Sequence, residues 1–130
     1  MVIQRREVHV FQSQLFQAAS LEARAPPVDC EDADQFMLLI DIGEGGTVDH
    51  SATLTFSPLF IDDDGHEYIN GNTTWGTFAI AGSAVPEKVA VNGPVLSKVM
   101  GLKVVSAGTL STTNYFTLNA RIVFMSNTGA

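Results

Sequence analysis

The sequence predicts an all-β domain, an antiparallel β-sandwich or jelly-roll-like barrel with an extended N-terminal arm. Three observations carry that expectation. First, hydrophobicity alternates over residues 115–125, with Phe116, Leu118, Ala120, Ile122 and Phe124 on one face and Thr117, Asn119 and Arg121 on the other. A period of two held that long describes a strand with one wet face. Second, hydrophobic residues make up 45% of the chain and charged ones only 16%. Thr, Ser, Asn and Gly take the place of charge, a balance suited to strands and turns and too apolar for disorder. Third, short apolar runs recur at close spacing with Gly, Pro and Asp-Gly punctuation between them, as in sandwiches and barrels.

The elements follow in chain order. Residues 1–25 are ambiguous in period. Val8, Val10, Gln12, Gln14, Phe16 and Ala18 alternate loosely, whereas Val8, Phe11, Leu15 and Ala18 also fit a helical stripe. The segment reads as an arm running into a strand, able to add a strand to a neighbour's sheet. Pro26-Pro27 stops any regular element, and residues 26–130 form the single β-sandwich domain. Residues 29–34 are an acidic loop. Residues 36–42 are a nearly continuous apolar run, a strand buried on both faces, ended by a flexible turn at residues 43–46. Residues 50–60 alternate, with Pro58 marking a strand end or an edge. Residues 57–76 hold an acidic loop, and Trp75 opens a strand over residues 75–80. Residues 99–105 then pair with 115–125 as a hairpin across a turn of small polar residues at 108–114.

A chain of 130 residues suggests one domain, burying roughly two-thirds of its unfolded surface without staples. Acidic residues outnumber basic ones 14 to 7, for a net charge of −7. Phosphate binding needs clustered cations, and the one local pair is Arg5-Arg6. Nucleic acid and anionic membranes are therefore poor partners. The longest apolar run is too short to cross a bilayer, and glutamines and serine break up the N-terminal 25 residues where a secretory signal needs a continuous apolar stretch. Cys30 is the lone cysteine, which rules out an intrachain disulfide and fits cytosolic synthesis.

The chemistry-bearing residues concentrate in the stretch SPLFIDDDGHEYINGNTTWG, residues 57–76. Asp62, Asp64 and Glu67 are candidate ligands for a hard cation such as Ca²⁺. The spacing is not that of an EF-hand, because with Gly65 at the sixth position Phe60 and Gly71 fall where carboxylates are required. The preferred reading is a charged hairpin loop closed by Asp64-Gly65. Histidines 9, 50 and 66 have no zinc-like spacing. No Gly-x-Ser-x-Gly elbow and no phosphate-loop motif occur. Tyr68, Asn70 and Trp75 are candidates for a sugar-stacking platform. The alternative, that Trp75 fills space between sheets, is preferred.

The segments VDCEDADQFMLLIDIGEGG (28–46), ATLTFSPLFIDDDGHEY (52–68), NTTWGTFAI (72–80) and LKVVSAGTLSTTNYFTLNARIVF (102–124) resemble in layout the small β-rich structural proteins of tailed bacteriophages, the capsid decoration (cement) and head–tail accessory proteins. That resemblance implies a homo-oligomer, commonly a trimer, bridging major capsid protein subunits on the capsid exterior, made in the host cytoplasm, with no catalysis and no cofactor. Arg5, Arg6, Val8, Val10 and Phe11 on the arm are then the candidate partner-binding residues. The alternative function is a carbohydrate-binding or receptor-binding module using Tyr68, Asn70 and Trp75.

Overall fold

The computed structural model describes residues 3–46, 52–69, 77–81 and 87–127. The described residues form ten strands, and no helix occurs among them: β1 (Ile3–Phe16), β2 (Glu22–Arg24), β3 (Val28–Asp29), β4 (Gln35–Gly46), β5 (Thr53–Ile61), β6 (Glu67–Ile69), β7 (Phe78–Ala81), β8 (Glu87–Pro94), β9 (Val99–Ala107) and β10 (Asn114–Asn127). They build two antiparallel sheets. Sheet A runs β1-β10-β4-β8, and sheet B runs β2-β9-β5-β6, with β3 also on β9 and β7 also on β5.

Two of these strands are continuations of others. β2 and β3 pair successive stretches of β9, residues 103–105 and then 99–100. They are one edge strand interrupted at Pro26-Pro27, residues without the amide proton a ladder needs. β6 and β7 likewise share one edge of β5, at residues 59–61 and 53–56. Between these two pairings on β5 lie Ser57 and Pro58, and Pro58 has no amide hydrogen to offer a neighbour there. With each broken strand counted once, the sheet orders become first-eighth-third-sixth and second-seventh-fourth-fifth. This is the eight-stranded jelly roll, in which two Greek keys wrap one core.

The core lies between the sheets. From sheet A come Phe16, Phe36, Leu38, Ile40, Ile42 and the inward row of β10, Phe116, Leu118, Ala120, Ile122 and Phe124, all at 3% exposure or less. Sheet B contributes Leu54, Phe56, Met100, Leu102 and Val104, with the Phe56 and Phe78 rings stacked at 5.2 Å and 12°. Each large side chain buried this fully contributes about 2 kcal/mol. Cys30 is also fully buried, its thiol donating to the Ser97 carbonyl at 3.3 Å.

Four expectations change. The arm is part of the domain: residues 3–16 pair with β10 from Ile3↔Asn127 to Phe16↔Phe116. Phe11 and Phe16 are buried in the core, and burying them outweighs leaving the segment in water. The register slips twice, between His9 and Phe11 and between Phe11 and Gln14, and Ser13 takes a left-handed φ of 51° while its amide donates to Asn119 Oδ1 at 2.9 Å. Residues 43–46 are no turn; they extend β4 and pair with residues 114–117. The run 36–42 is not buried on both faces, for Met37 and Leu39 are half-exposed and Asp41 is exposed. Finally, β9 and β10 are not a hairpin, since they lie in different sheets joined by an arch at residues 108–113.

Two clamps hold that arch and the loop beside it. The buried Ser106 hydroxyl donates to the Ala18 carbonyl at 2.6 Å and accepts the Leu21 amide at 3.1 Å, fixing the β1–β2 loop on sheet B. Gly108 has φ +96°, and a Cβ there would come 2.6 Å from the Ala52 Cα. Gly108→Ala is expected to destabilise by at least about 1–3 kcal/mol through backbone strain alone, read as a lower urea midpoint with the m-value unchanged. Removing residues 1–16 is expected to abolish cooperative unfolding, measured by near-UV circular dichroism during denaturation; a shortened chain that still melts sharply would contradict the pairing of β1 described above.

Candidate functional site

The acidic stretch of the sequence folds into the tight turn between β5 and β6. The Asp62 amide donates to the His66 carbonyl at 3.0 Å, and Gly65, at φ +85°, donates to the Asp62 carbonyl at 3.0 Å. The Asp62 carboxylate serves the turn itself. Its Oδ1 accepts the amides of Asp64 at 3.0 Å and His66 at 2.8 Å, while Oδ2 faces the His66 Nδ1 at 3.3 Å and accepts the Tyr68 hydroxyl at 3.2 Å. These donors favour the charged form, the His66 amide most, so the Asp62 pKa is lowered; the Tyr68 hydroxyl's bond to that carboxylate raises the pKa of Tyr68.

Of the three candidate cation ligands, the fold brings Asp62 and Asp64 together and removes Glu67. Asp62, Asp64 and His66 place one ligand atom each within 4.8 Å of one another. The Glu67 carboxylate instead faces Arg24 of β2, which also binds Glu22 at 3.0 Å. With both Asp62 oxygens already accepting hydrogen bonds, the local chemistry is that of a self-capped turn. Tyr68 is 56% exposed, and its hydroxyl is committed to Asp62. Asn70 and Trp75, the other members of the sugar platform, lie outside the described residues.

The arm residues take different positions from one another. Arg5 is exposed, opposite Met125. Arg6 is a latch: its guanidinium donates to the Asp29 carbonyl at 2.7 Å and to Asp32 at 3.1 Å, and lies 4.9 Å from the centre of the Phe124 ring. Val8 and Val10 pack against the core and Phe11 is in it. These residues therefore do not form one outward surface.

Sequence reasoning missed the outer face of sheet A. The register sets Val123 beside Met37 and Leu39 beside Ala90, an apolar centre crossing three strands. Around it stand Glu7, His9, Asp41, Lys88 and Arg121, with Arg121 donating to Glu7 at 3.0 Å. Short side chains on the floor and long ones at the rim leave a shallow trough of about 410 Å³ over Leu39 and Ala90. Met37 and Leu39 were the signal: they fall on the outward row of β4, where a wet face calls for polar residues.

The end of the sandwich that carries the acidic turn has a contrasting surface. The β3–β4 loop, the β5–β6 turn and the β8–β9 loop meet there, through Cys30 N to Lys98 O at 2.8 Å, Val95 N to Asp34 O at 2.9 Å and the pair Ile61↔Val99. Leu96 projects from the middle of the three, 60% exposed. The Cys30 thiol is withdrawn from this surface, and burial together with Asp29 pushes its pKa up to about 11.

The strand order defines a single jelly-roll unit. The VP2 protein of infectious bursal disease virus, in its subviral particle, is similar with a TM-score of 0.61 at 11% identity, over 96% of this chain and 33% of VP2. The Gx strain of that virus gives 0.61 at 8%, over 99% of this chain and 34% of the viral one. The SPBc2 prophage-derived protein YomS gives 0.50 at 9%, over 95% of this chain and 96% of YomS. At these identities the likeness is one of fold. The chain spans about a third of the two viral proteins and nearly the whole of YomS. No protein-family model matches the chain, and no curated protein matches it in sequence.

The lowered Asp62 pKa has a definite consequence for stability against pH. A carboxyl whose folded pKa lies below its unfolded value of about 3.9 stabilises the fold above that value, and the contribution is lost as pH falls through the lower folded pKa. Thermal melts of the Asp62→Asn variant are expected to show a shallower loss of Tm below about pH 4 than the parent chain; parallel acid limbs would contradict the capping role.

Proposed function

We propose that this chain is a structural virion protein, a capsid decoration (cement) protein of a tailed phage that bridges major capsid subunits as a trimer on the outer shell. The observation that carries the reading is the jelly roll formed by this one chain. One such unit accounts for a third of a protein that forms a viral particle and for nearly all of a prophage-derived protein. The physical chemistry supports it. The buried residues form one core cluster within this chain, enough for a domain of this size to fold before it meets a shell. A net charge of −7 keeps many copies soluble until they do. Many weak contacts repeated across a shell add up to strong retention. Among the described residues, Asp62 of the acidic cluster is engaged in capping its own turn, and the broad sheet faces offer the larger surfaces for other protein.

The test is mass spectrometry and immuno-electron microscopy of particles purified from induced cells of the native host. The chain is expected in full particles at a constant ratio to the most abundant shell protein, with antibody decorating the shell. Recovery of the chain only in the particle-free fraction would overturn the reading.

A further inference from the structure

We infer that two copies of this chain join edge to edge along β8, antiparallel and across a two-fold axis at Ala90, so that sheet A continues from one copy into the next. The inference goes beyond the function proposed above and is independent of binding to a shell. Where the proposed trimer forms, this second contact joins one trimer to another.

The observation is an open edge. Among the described residues β8 has β4 on one side and no strand on the other. It runs eight residues without a register slip. The other edges of the described sheets are all broken: β1 slips twice, β2 and β3 part at Pro26-Pro27, and β6 and β7 leave Ser57 and Pro58 between them. Alternate amides and carbonyls on the outer side of β8 therefore have no ladder partner within the described fold, and another strand satisfies them. The side chains are incomplete in the same place. Val89 and Val91 belong to the inward row, yet both are only half-buried, while Ile40 and Leu38 opposite them on β4 are at 2% exposure. What fits such an edge is a regular strand with an open edge of its own. Among the described residues, β8 of a second copy is the one such strand this chain offers.

The side chains select the register. Inward residues must meet inward ones, so only pairings that keep the faces matched count. An axis at Ala90 sets Val89 against the partner's Val91, Lys88 against the partner's Asn92 and Glu87 against the partner's Gly93. Apolar side chains then meet on the inner face, and no two like charges meet. An axis at Lys88 would set two ammonium groups against each other. An axis at Val91 or Asn92 brings Pro94, which has no amide hydrogen, into the ladder, and one at Val89 shortens the ladder to residues 87–91. The outer face gains as well. The trough over Leu39 and Ala90 reaches the β8 edge, and pairing at Ala90 sets Leu39, Ala90 and their counterparts in one row from one β4 to the other. Two shallow troughs become one apolar floor. The same edge serves both copies, so the contact is isologous and closes at the pair. A ladder this short makes a small interface, and the association is expected to be weak and to grow with concentration.

The experiment is sedimentation velocity of the full chain across a concentration series. The sedimenting mass is expected to double as concentration rises, whether the starting unit is one chain or three. Ala90 is exposed and meets its own counterpart, so Ala90→Glu and Ala90→Lys each set like charges face to face. Each variant alone is expected to weaken the doubling several-fold, with its circular dichroism spectrum unchanged. Mixed in equal amounts, the two variants bring opposite charges together, and association is expected to return. Should a charge disturb β8, cross-linking reads the same register. Ala90→Cys is expected to form a disulfide-linked pair under mild oxidation, because residues paired across an antiparallel ladder lie within disulfide reach. Lys88→Cys, which faces the partner's Asn92, is expected not to. A parent chain of constant mass, folded charge variants that associate like the parent or are not rescued by mixing, or cysteines that cross-link equally at both positions would overturn the inference. Constant mass in a chain that is found on virions would leave the function proposed above standing, and doubling in a chain absent from particles would support the contact and overturn that function.

Discussion

The structure depends on the insertion of β10 between β1 and β4. That one strand is hydrogen-bonded along both edges, to residues 3–16 on one side and 35–46 on the other. Its inward row supplies five core side chains, and no other strand links as much of the chain. An exposed arm would have left β10 as a long bare edge, with its amides and carbonyls paired to water and Phe11 and Phe16 in solvent. Pairing it in place satisfies the backbone and buries the aromatics together. The jelly-roll order then follows, because β10 lies in sheet A while the preceding β9 lies in sheet B, so the connection between them must arch over the core.

The remaining edges are guarded by different means. β1 carries two register slips and a left-handed serine; the β2/β3 edge is cut by two prolines; the β6/β7 edge is split into short pieces. β8 is the regular one, eight residues in step with β4 from Ile42↔Glu87 to Gln35↔Pro94, and it ends at a proline. Bulges, prolines and short pieces are the usual protection against unwanted strand addition. With β8 as the exception, the chain therefore presents faces and loop ends to other molecules more readily than it presents edges. Charge is spread unevenly as well, with acids gathered at the end bearing Leu96 and both signs, Glu7 and Asp41 beside Lys88 and Arg121, around the trough.

The parts of this fold legible in the sequence were those set by a local rule. The row Phe116 to Phe124 alternates without interruption and is buried as a row. The Asp-Gly pair announced the turn that it makes, with Gly65 at a positive φ. Residues 1–25 were ambiguous for a reason visible only in the fold. Each slip near Val10 and Ser13 shifts the alternation, and a strand pattern broken in that way mimics a helical stripe. The false hairpin has a different cause. Period two tells which residues share a face, but not which strand lies alongside, so β9 and β10 could not be assigned to separate sheets from pattern alone. At the candidate site, the turn chemistry was local and readable. The capture of Glu67 by Arg24 was not, because it joins residues 43 positions apart that meet only once both edges of sheet B are in place.

The position of β10 also orders events during synthesis. A ribosome releases residues 3–16 and 35–46 well before residues 114–127, yet the later strand must fit between the earlier two. Until it arrives, the nascent chain holds an unfilled slot lined by Phe16, Phe36, Leu38 and Ile40, greasy and rich in free backbone groups. Such a chain completes its fold late and all at once, and in the interval it is open to chaperones and to mispairing with its own siblings on the same messenger.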